Sequence, residues 1–138
     1  GDSARPLRRV ASGGELSRVF LALQNVLRRS APGMVLVFDE VDAGVGGAVA
    51  ERVGATLASL AAHHQVLCIT HLPQIAAHAA THFAVRKHER GARTVTSVDL
   101  LRESERIDEI ARMAGGEKVT EATRRHARAL LQAARGAK

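Results

Sequence analysis

Two short apolar runs with a helical stretch between them constrain the fold of this chain more than any other feature. The first run, Met34 to Phe38, ends in two adjacent carboxylates, Asp39 and Glu40. The second run, Val66 to Thr70, follows a glycine-rich turn and a stretch with helical character. Continuous apolar runs of this length are typical of parallel strands that are buried on both faces. Strand, helix and strand in this order predict a right-handed βαβ unit.

The rest of the chain predicts helices and one hairpin around that unit. Periodic patterns mark four further helices and a β-hairpin, at residues 16–27, 73–80, 105–114 and 120–134 for the helices and 83–88 with 94–100 for the hairpin. Residues 1–9 show no periodicity and are interpreted as a linker or entering loop, which leaves residues 10–138 as one domain. The predicted fold class is α/β, with a mostly parallel sheet flanked by helices and a C-terminal β-hairpin and helices.

Composition sets limits on the core and on the cellular setting. The chain has 138 residues, 46% of them hydrophobic and only 2% aromatic, so one core built mainly from Ala, Val, Leu and Ile is expected. The net charge of +6 permits contact with phosphates but does not by itself select a partner. Cys68 is the single cysteine, which excludes a disulfide within the chain. Without a signal peptide or a long apolar span, a cytoplasmic protein with no membrane partner is expected.

A serine-glycine-glycine sequence at the start of the first predicted helix is suited to bind an anion. Ser12 and Glu15 have the spacing of a capping box, and Gly13 and Gly14 leave the backbone N–H groups of the first turn bare. A phosphate can approach such groups at the positive end of a helix. The alternative is that these residues only cap the helix, because S-x-x-E sequences also occur without any ligand.

Three polar side chains follow the two predicted strands. Asp39 can hold Mg²⁺ directly or through water, while Glu40 can orient and deprotonate a water for phosphoryl transfer. A neutral imidazole at His71 can contact a phosphate or the attacking water. Each residue also has a structural interpretation, as a solvated loop residue or a cap, and Asp42 can be an ordinary turn residue. Ligands of open α/β sheets bind at the carboxyl ends of the strands, where all of these residues are expected.

The order of these elements resembles the signature, Walker B and switch-histidine series of ABC ATPases. Within that superfamily the chain is similar to SMC-like proteins of the RecN family of bacterial DNA repair proteins. The similarity is carried by SGGELSR at 12–18, FDEVDAGVGG at 38–47, THLPQIAAHA at 70–79 and RIDEIARMAGGEKVTEATRRHARALL at 106–131.

The resemblance implies a role for each site residue. Ser12, Gly13, Gly14 and Glu15 would contact the γ-phosphate of an ATP molecule held by the opposite head. Asp39 would serve the Mg²⁺ ion, Glu40 would be the general base, and His71 would sense the γ-phosphate. The chain departs from SMC relatives at Gly46, where those proteins usually carry an aspartate.

A second departure is the absence of a phosphate-binding loop, since G-x-x-x-x-G-K-[ST] occurs nowhere in the chain. In RecN-like proteins that loop belongs to an N-terminal lobe, beyond a long coiled coil. The resemblance therefore implies that residues 10–138 are the C-terminal lobe of a Mg²⁺-dependent ATPase head, inactive alone. Its expected partners are the Walker A lobe, a second head and DNA, in a nucleoid-associated protein of double-strand-break repair.

Two other functions fit parts of the same pattern. One is a fragment of an ABC transporter ATPase, although transporters commonly carry Gln where this chain has Glu15. The other is a non-catalytic module that scaffolds DNA or protein. The last helix carries a run of basic residues that is either a phosphate-binding stripe or a solvated face, namely Arg124, Arg125, Arg128, Arg135 and Lys138.

Overall fold

A computed structural model describes residues 22, 26, 32–39, 41–42, 44–91, 93–116 and 118–136 of the chain. Its elements are, in chain order, β1 (Val35–Phe38), α1 (Gly47–Leu60), β2 (Gln65–Cys68), α2 (Pro73–Ala76), β3 (Phe83–Arg90), β4 (Arg93–Leu100), α3 (Glu103–Gly115) and α4 (Glu121–Gly136). No helix in this part of the chain is long and apolar enough to cross a bilayer.

The strands β1 and β2 pair in parallel, as the βαβ prediction requires. Their register places Val35 opposite Gln65 and Phe38 opposite Cys68. Gly33 precedes β1 with a φ of 92°, a left-handed conformation that favours glycine, and its N–H donates to the carbonyl of His63 at 3.0 Å. That bond joins the loop before β1 to the loop before β2, so both strands begin at the same end of the sheet.

Helix α1 covers one face of this two-stranded sheet. It buries residues at helical spacing, namely Ala50, Val53, Gly54, Leu57 and Leu60. Phe38, Val66 and Cys68 from the strands pack against the same apolar cluster. On the opposite face the alternate residues Val35 and Val37 are 60% and 65% exposed. Described residues thus cover one face of the sheet only.

The short helix α2 lies between two apolar clusters. Ile75 belongs to the cluster under the sheet, whereas Ala76 and Ala77 belong to a second cluster with α3 and α4. Gly54 allows α1 to approach α2 closely, because a Cβ atom there would lie 2.5 Å from Cδ2 of His78 and 3.2 Å from the carbonyl of Gln74. The absence of a side chain at Gly54 therefore lets α1 and α2 pack directly against each other.

The C-terminal half consists of the predicted hairpin and two helices. Strands β3 and β4 pair antiparallel from Phe83 opposite Leu100 to Arg90 opposite Arg93, with Gly91 in the turn at a φ of 62°. Helix α4 begins with a reciprocal cap, in which Thr123 N–H donates to the Thr120 hydroxyl at 3.2 Å and Thr120 N–H donates to the Thr123 hydroxyl at 2.8 Å.

The α/β class, the hairpin and the C-terminal helices agree with the sequence prediction. Within the described residues the sheet structure consists of one parallel pair and one separate antiparallel pair. Helix α2 ends at Ala76, earlier than the predicted end near residue 80. The predicted helix at 16–27 lies largely outside the described residues, where only Ala22 and Val26 are assigned, both as helical.

Candidate functional site at the carboxyl edge of the parallel strands

The parallel register brings the ends of β1 and β2 to one edge. The carbonyl of Phe38 accepts a hydrogen bond from Ile69 N–H at 2.9 Å, immediately after both strands end. Asp39 follows β1 directly and is exposed, while Thr70 and His71 follow β2. A carboxylate and an imidazole therefore follow the two strands at the edge where α/β sheets bind ligands.

A buried carboxylate, Asp42, connects the two loops at this edge. Its Oδ2 accepts hydrogen bonds from the hydroxyl of Thr70 at 2.6 Å and from the main-chain N–H of His71 at 2.7 Å. The same oxygen lies 2.8 Å from Nδ1 of the His71 ring. Asp42 is 5% exposed, whereas the His71 side chain is 76% exposed. The charged end of Asp42 is thus enclosed by the segment that presents His71 to solvent.

Hydrogen bonding keeps Asp42 ionised despite its burial. Burial alone raises the pKa of this carboxyl, but the hydrogen bonds from Thr70 and His71 outweigh that effect, and the pKa lies below its ordinary value. The hydroxyl of Thr70 also accepts a hydrogen bond from Leu72 N–H at 3.0 Å, at the first position before α2. Hydrogen bonds therefore hold the loop from β2 to α2 at three consecutive residues, Thr70, His71 and Leu72.

Cys68 lies just inside the same edge, at the last position of β2. Burial, followed by the negative charges of Asp42 and Asp39, raises the pKa of its thiol to about 11. A thiol with this pKa is almost wholly protonated at neutral pH, so it is a poor nucleophile and a poor metal ligand. Cys68 consequently acts as an apolar packing residue under the site.

Arg106, on α3, holds the far end of α2. Its guanidinium donates hydrogen bonds to the carbonyls of Ala76 at 3.3 Å and Ala77 at 3.0 Å, and it also bonds the carbonyl of Ala79. Arg106 is 8% exposed. Since the last carbonyls of a helix lack partners within it, one buried cation satisfies the end of α2. Burial is the main effect on the pKa of Arg106, and it lowers that pKa. The ordinary pKa of arginine is so high that the side chain nevertheless remains charged.

Acidic partners occupy most of the basic side chains of α4. Arg124 bonds Asp108 at 2.7 Å, Arg128 bonds Glu121 at 3.0 Å, and Arg135 pairs with Glu103. Two of these acids lie on α3, which the sequence pattern alone did not place opposite α4. An arginine paired in this way offers less of its charge to a nucleic-acid phosphate, so the paired arginines favour the solvated, ion-paired interpretation of this helix face.

The described residues include two of the predicted site residues. Asp39 and His71 share the carboxyl edge, as predicted, whereas the remaining predicted residues lie outside the described part of the chain: Ser12, Gly13, Gly14, Glu15 and Glu40. In the described part no three His, Cys, Asp or Glu side chains gather into a group that could hold a metal ion.

Sequence reasoning did not assign a role to Asp42, Thr70 or Arg106. The D-E-V-D sequence at 39–42 and the adjacent Thr-His pair at 70–71 carried a signal, since acids and histidines near one sheet edge often interact. Arg106 falls within the segment that carries the family resemblance, yet nothing in its neighbours predicts burial. Its hydrogen-bond partners are carbonyls at the end of α2, which lie 27 to 30 residues earlier in the chain.

Comparison with curated proteins finds DNA repair protein RecN from several bacteria. The chain is 53% identical to RecN of Deinococcus radiodurans over 131 residues, which are 95% of this chain and 23% of the relative. It is 50% identical to RecN of Mycobacterium leprae over 98% of this chain and 23% of the relative, and 45% identical to RecN of Bacillus subtilis over 97% and 23%. The chain thus spans about a quarter of the length of these relatives. No protein-family model matches it.

A solved structure supports the fold assignment. This structure is described as belonging to the structural biochemistry of ATP-driven dimerization and DNA-stimulated activation of SMC ATPases. It aligns with this chain with a TM-score of 0.55. The alignment covers 76% of this chain and 62% of that chain, with 20% sequence identity. At this identity the likeness concerns the fold, which is that of an SMC ATPase head.

Proposed function

Because this chain resembles the C-terminal quarter of RecN DNA repair proteins over nearly its whole length, we propose that it is one lobe of an SMC-like ATPase head. In this proposal residues 10–138 form the lobe, and residues 1–9 lead into it. The lobe supplies the signature segment, the Walker B carboxylates and a histidine. It works only with a Walker A lobe that carries the phosphate-binding loop, for which this chain has no sequence.

One observation carries the proposal: Asp39 and His71 follow two paired parallel strands at their common carboxyl edge. This is the edge at which nucleotides bind to open α/β sheets. The neighbouring Asp42 network fixes the loop that presents His71. An acid and an imidazole placed together in this way suit phosphoryl transfer to water.

The exposed face of the parallel sheet supports the requirement for a second lobe. Val35, Val37 and Leu67, on strands of four residues each, and Ile69, just after β2, are each between 48% and 65% exposed. Parallel sheets occur almost only with both faces covered, and two strands alone are marginally stable. We therefore assign further coverage and further strands of this sheet to the Walker A lobe.

The proposed chemistry divides among few side chains. Asp39 would hold Mg²⁺, which would supply charge neutralisation for the phosphates. Glu40 accepts a proton from the attacking water, and His71 contacts the γ-phosphate region. Ser12, Gly13, Gly14 and Glu15 bind the γ-phosphate held by a second head through backbone N–H groups at a helix start. ATP binding in this scheme closes a dimer of heads.

For the whole protein we propose a role in DNA double-strand-break repair, with DNA and a second head as partners and a nucleoid-associated, cytoplasmic location. The RecN relatives carry the name of DNA repair proteins, which supports the biological assignment. The SMC ATPase neighbour is described by ATP-driven dimerization, which supports the pairing of heads.

The proposal is tested by comparing the chain alone with the complete protein. We expect no ATP hydrolysis from the chain alone and Mg²⁺-dependent hydrolysis once the Walker A lobe is present. Ser12→Arg in the complete protein should leave ATP binding by single heads intact and abolish ATP-dependent dimerisation in sedimentation. Ser104→Arg, on the exposed side of α3, is the matched control and should dimerise normally. Robust turnover by the chain alone, or an unaltered dimer with Ser12→Arg, would contradict the proposal.

A further inference from the structure

Asp42 makes its contacts with His71 through both the backbone and the ring of that residue. One carboxylate oxygen lies 2.7 Å from the main-chain nitrogen and 2.8 Å from ring Nδ1. A third contact, from the Thr70 hydroxyl at 2.6 Å, holds the same oxygen in place. A buried side chain thus holds the backbone of an exposed residue and lies against the ring of that residue.

The chemistry of these atoms determines where the ring proton lies. An ionised carboxylate can only accept hydrogen bonds, and a ring nitrogen without a proton can also only accept. Two acceptors at 2.8 Å would repel each other, so the negative charge of Asp42 favours the tautomer with the proton on Nδ1. In the neutral imidazole Nε2 then keeps its lone pair. The ring belongs to a side chain that is 76% exposed, so Nε2 is the nitrogen available to a reactant.

We propose that Asp42 is a positioning residue, which holds His71 in the tautomer with the proton on Nδ1 and presents Nε2 as an acceptor at the sheet edge. This inference rests on the proposed ATPase function and deepens it. A neutral Nε2 acceptor reaches the γ-phosphate region through a hydrogen of the attacking water, because phosphate oxygens are themselves acceptors. His71 then orients that water, and Asp42 acts only through His71.

The direct test is the protonation pattern of the His71 ring. Solid-state ¹⁵N NMR on the complete protein, labelled at histidine and assigned with His71→Gln, should show a protonated Nδ1 and an unprotonated Nε2 near pH 8. Asp42→Asn retains the size of the side chain but adds an amide donor, so the population of the other tautomer should rise. A ring with its proton on Nε2 in the unaltered protein would overturn the inference, whether or not that protein hydrolyses ATP.

Kinetics gives the second test. Asp42→Asn should lower single-turnover hydrolysis about 10- to 100-fold, as loss of a histidine-orienting carboxylate does elsewhere, while the ATP concentration for half-saturation stays within about twofold. Asp99→Asn, an exposed acid on the hairpin, is the matched control and should hydrolyse at the reference rate. A changed tautomer with undiminished turnover in Asp42→Asn would show that the positioning has no catalytic role. If the unaltered complete protein hydrolyses no ATP, the proposed function fails and the NMR result still decides the tautomer.

Discussion

Arg106 donates a hydrogen bond of 3.0 Å to the main-chain carbonyl of Ala77, which lies 29 residues earlier in the chain. Ala77 is the residue that caps the C-terminus of α2, and α2 begins two residues after His71. The last helical carbonyls of the segment that follows the histidine are therefore satisfied from α3. This contact links the C-terminal helices to the candidate site at the sheet edge.

Arg106→Met should destabilise the chain by about 2 to 4 kcal/mol, because it leaves several buried carbonyls without donors while retaining apolar volume. Urea denaturation gives the free energy of unfolding. Arg102→Met, at an exposed position just before α3, is the matched control and should change it by less than about 0.5 kcal/mol. Equal stability of Arg106→Met and the unaltered chain would contradict the role given to this arginine.

Gly54→Ala should also lower stability, although alanine favours helices by about 1 kcal/mol over glycine. The added Cβ would meet Cδ2 of His78 at 2.5 Å and the carbonyl of Gln74 at 3.2 Å, so α1 and α2 must separate. We expect a net loss of about 1 to 3 kcal/mol in urea denaturation, as for other overpacked positions. Gly46, with open space around its Cβ position, provides the control substitution Gly46→Ala. A stabilised Gly54→Ala would show that the helices do not approach closely there.

His82 should make stability depend on pH in the range around neutrality. Burial, followed by the positive charge of Arg106, lowers the pKa of His82 below 6.5. The unfolded chain therefore binds a proton at a higher pH than the folded chain does, and stability is fully present above about pH 6.5 and falls as the pH drops below it. Urea midpoints measured from pH 8 to pH 5 should fall less in His82→Gln than in the unaltered chain. His88→Gln, on the exposed hairpin, should keep the full dependence, and an unchanged dependence in His82→Gln would contradict the assignment.

Cys68 should react slowly with alkylating agents in the folded chain. Its pKa of about 11, against an ordinary value of 9.0, lowers the thiolate fraction at pH 8 on the order of 10²-fold. Mass spectrometry of iodoacetamide-treated protein should show rapid modification in urea and little modification without it. Comparable rates in both conditions would mean that Cys68 is open to solvent as an ordinary thiol.

Much of the fold was predictable because local patterns dominate it. The apolar runs before Asp39 and His71 predicted the parallel strands, and alternation predicted the hairpin around Gly91. The end of α2 was less predictable, because alanines continue beyond Ala76 and intrinsic preference alone favours a longer helix. The carbonyls at that end bind Arg106, which no local pattern indicates.

The candidate site was predictable in outline and less so in its connections. The ends of the two apolar runs predicted the positions of Asp39 and His71. For Asp42 the sequence offered an ordinary turn only as one possible interpretation, because its burial depends on Thr70 and His71, almost 30 residues later. The sequence also allowed the arginines of α4 to be interpreted as a phosphate-binding stripe. Their acidic partners Asp108 and Glu103 lie on a different helix, and pairing between helices has no signature in either segment alone.

The central claim is that this lobe supplies the hydrolytic half of an ATPase site, and Glu40→Gln in the complete protein tests it most directly. The change preserves shape but removes the carboxylate that accepts a proton from water, so single-turnover hydrolysis at saturating Mg²⁺ and ATP should fall on the order of 10²-fold or more. ATP should remain bound in a closed head dimer, whereas Asp39→Asn should weaken the Mg²⁺-dependent state itself. Glu51→Gln, an exposed acid on α1, is the matched control. Hydrolysis by Glu40→Gln at the rate of the unaltered protein would contradict the account.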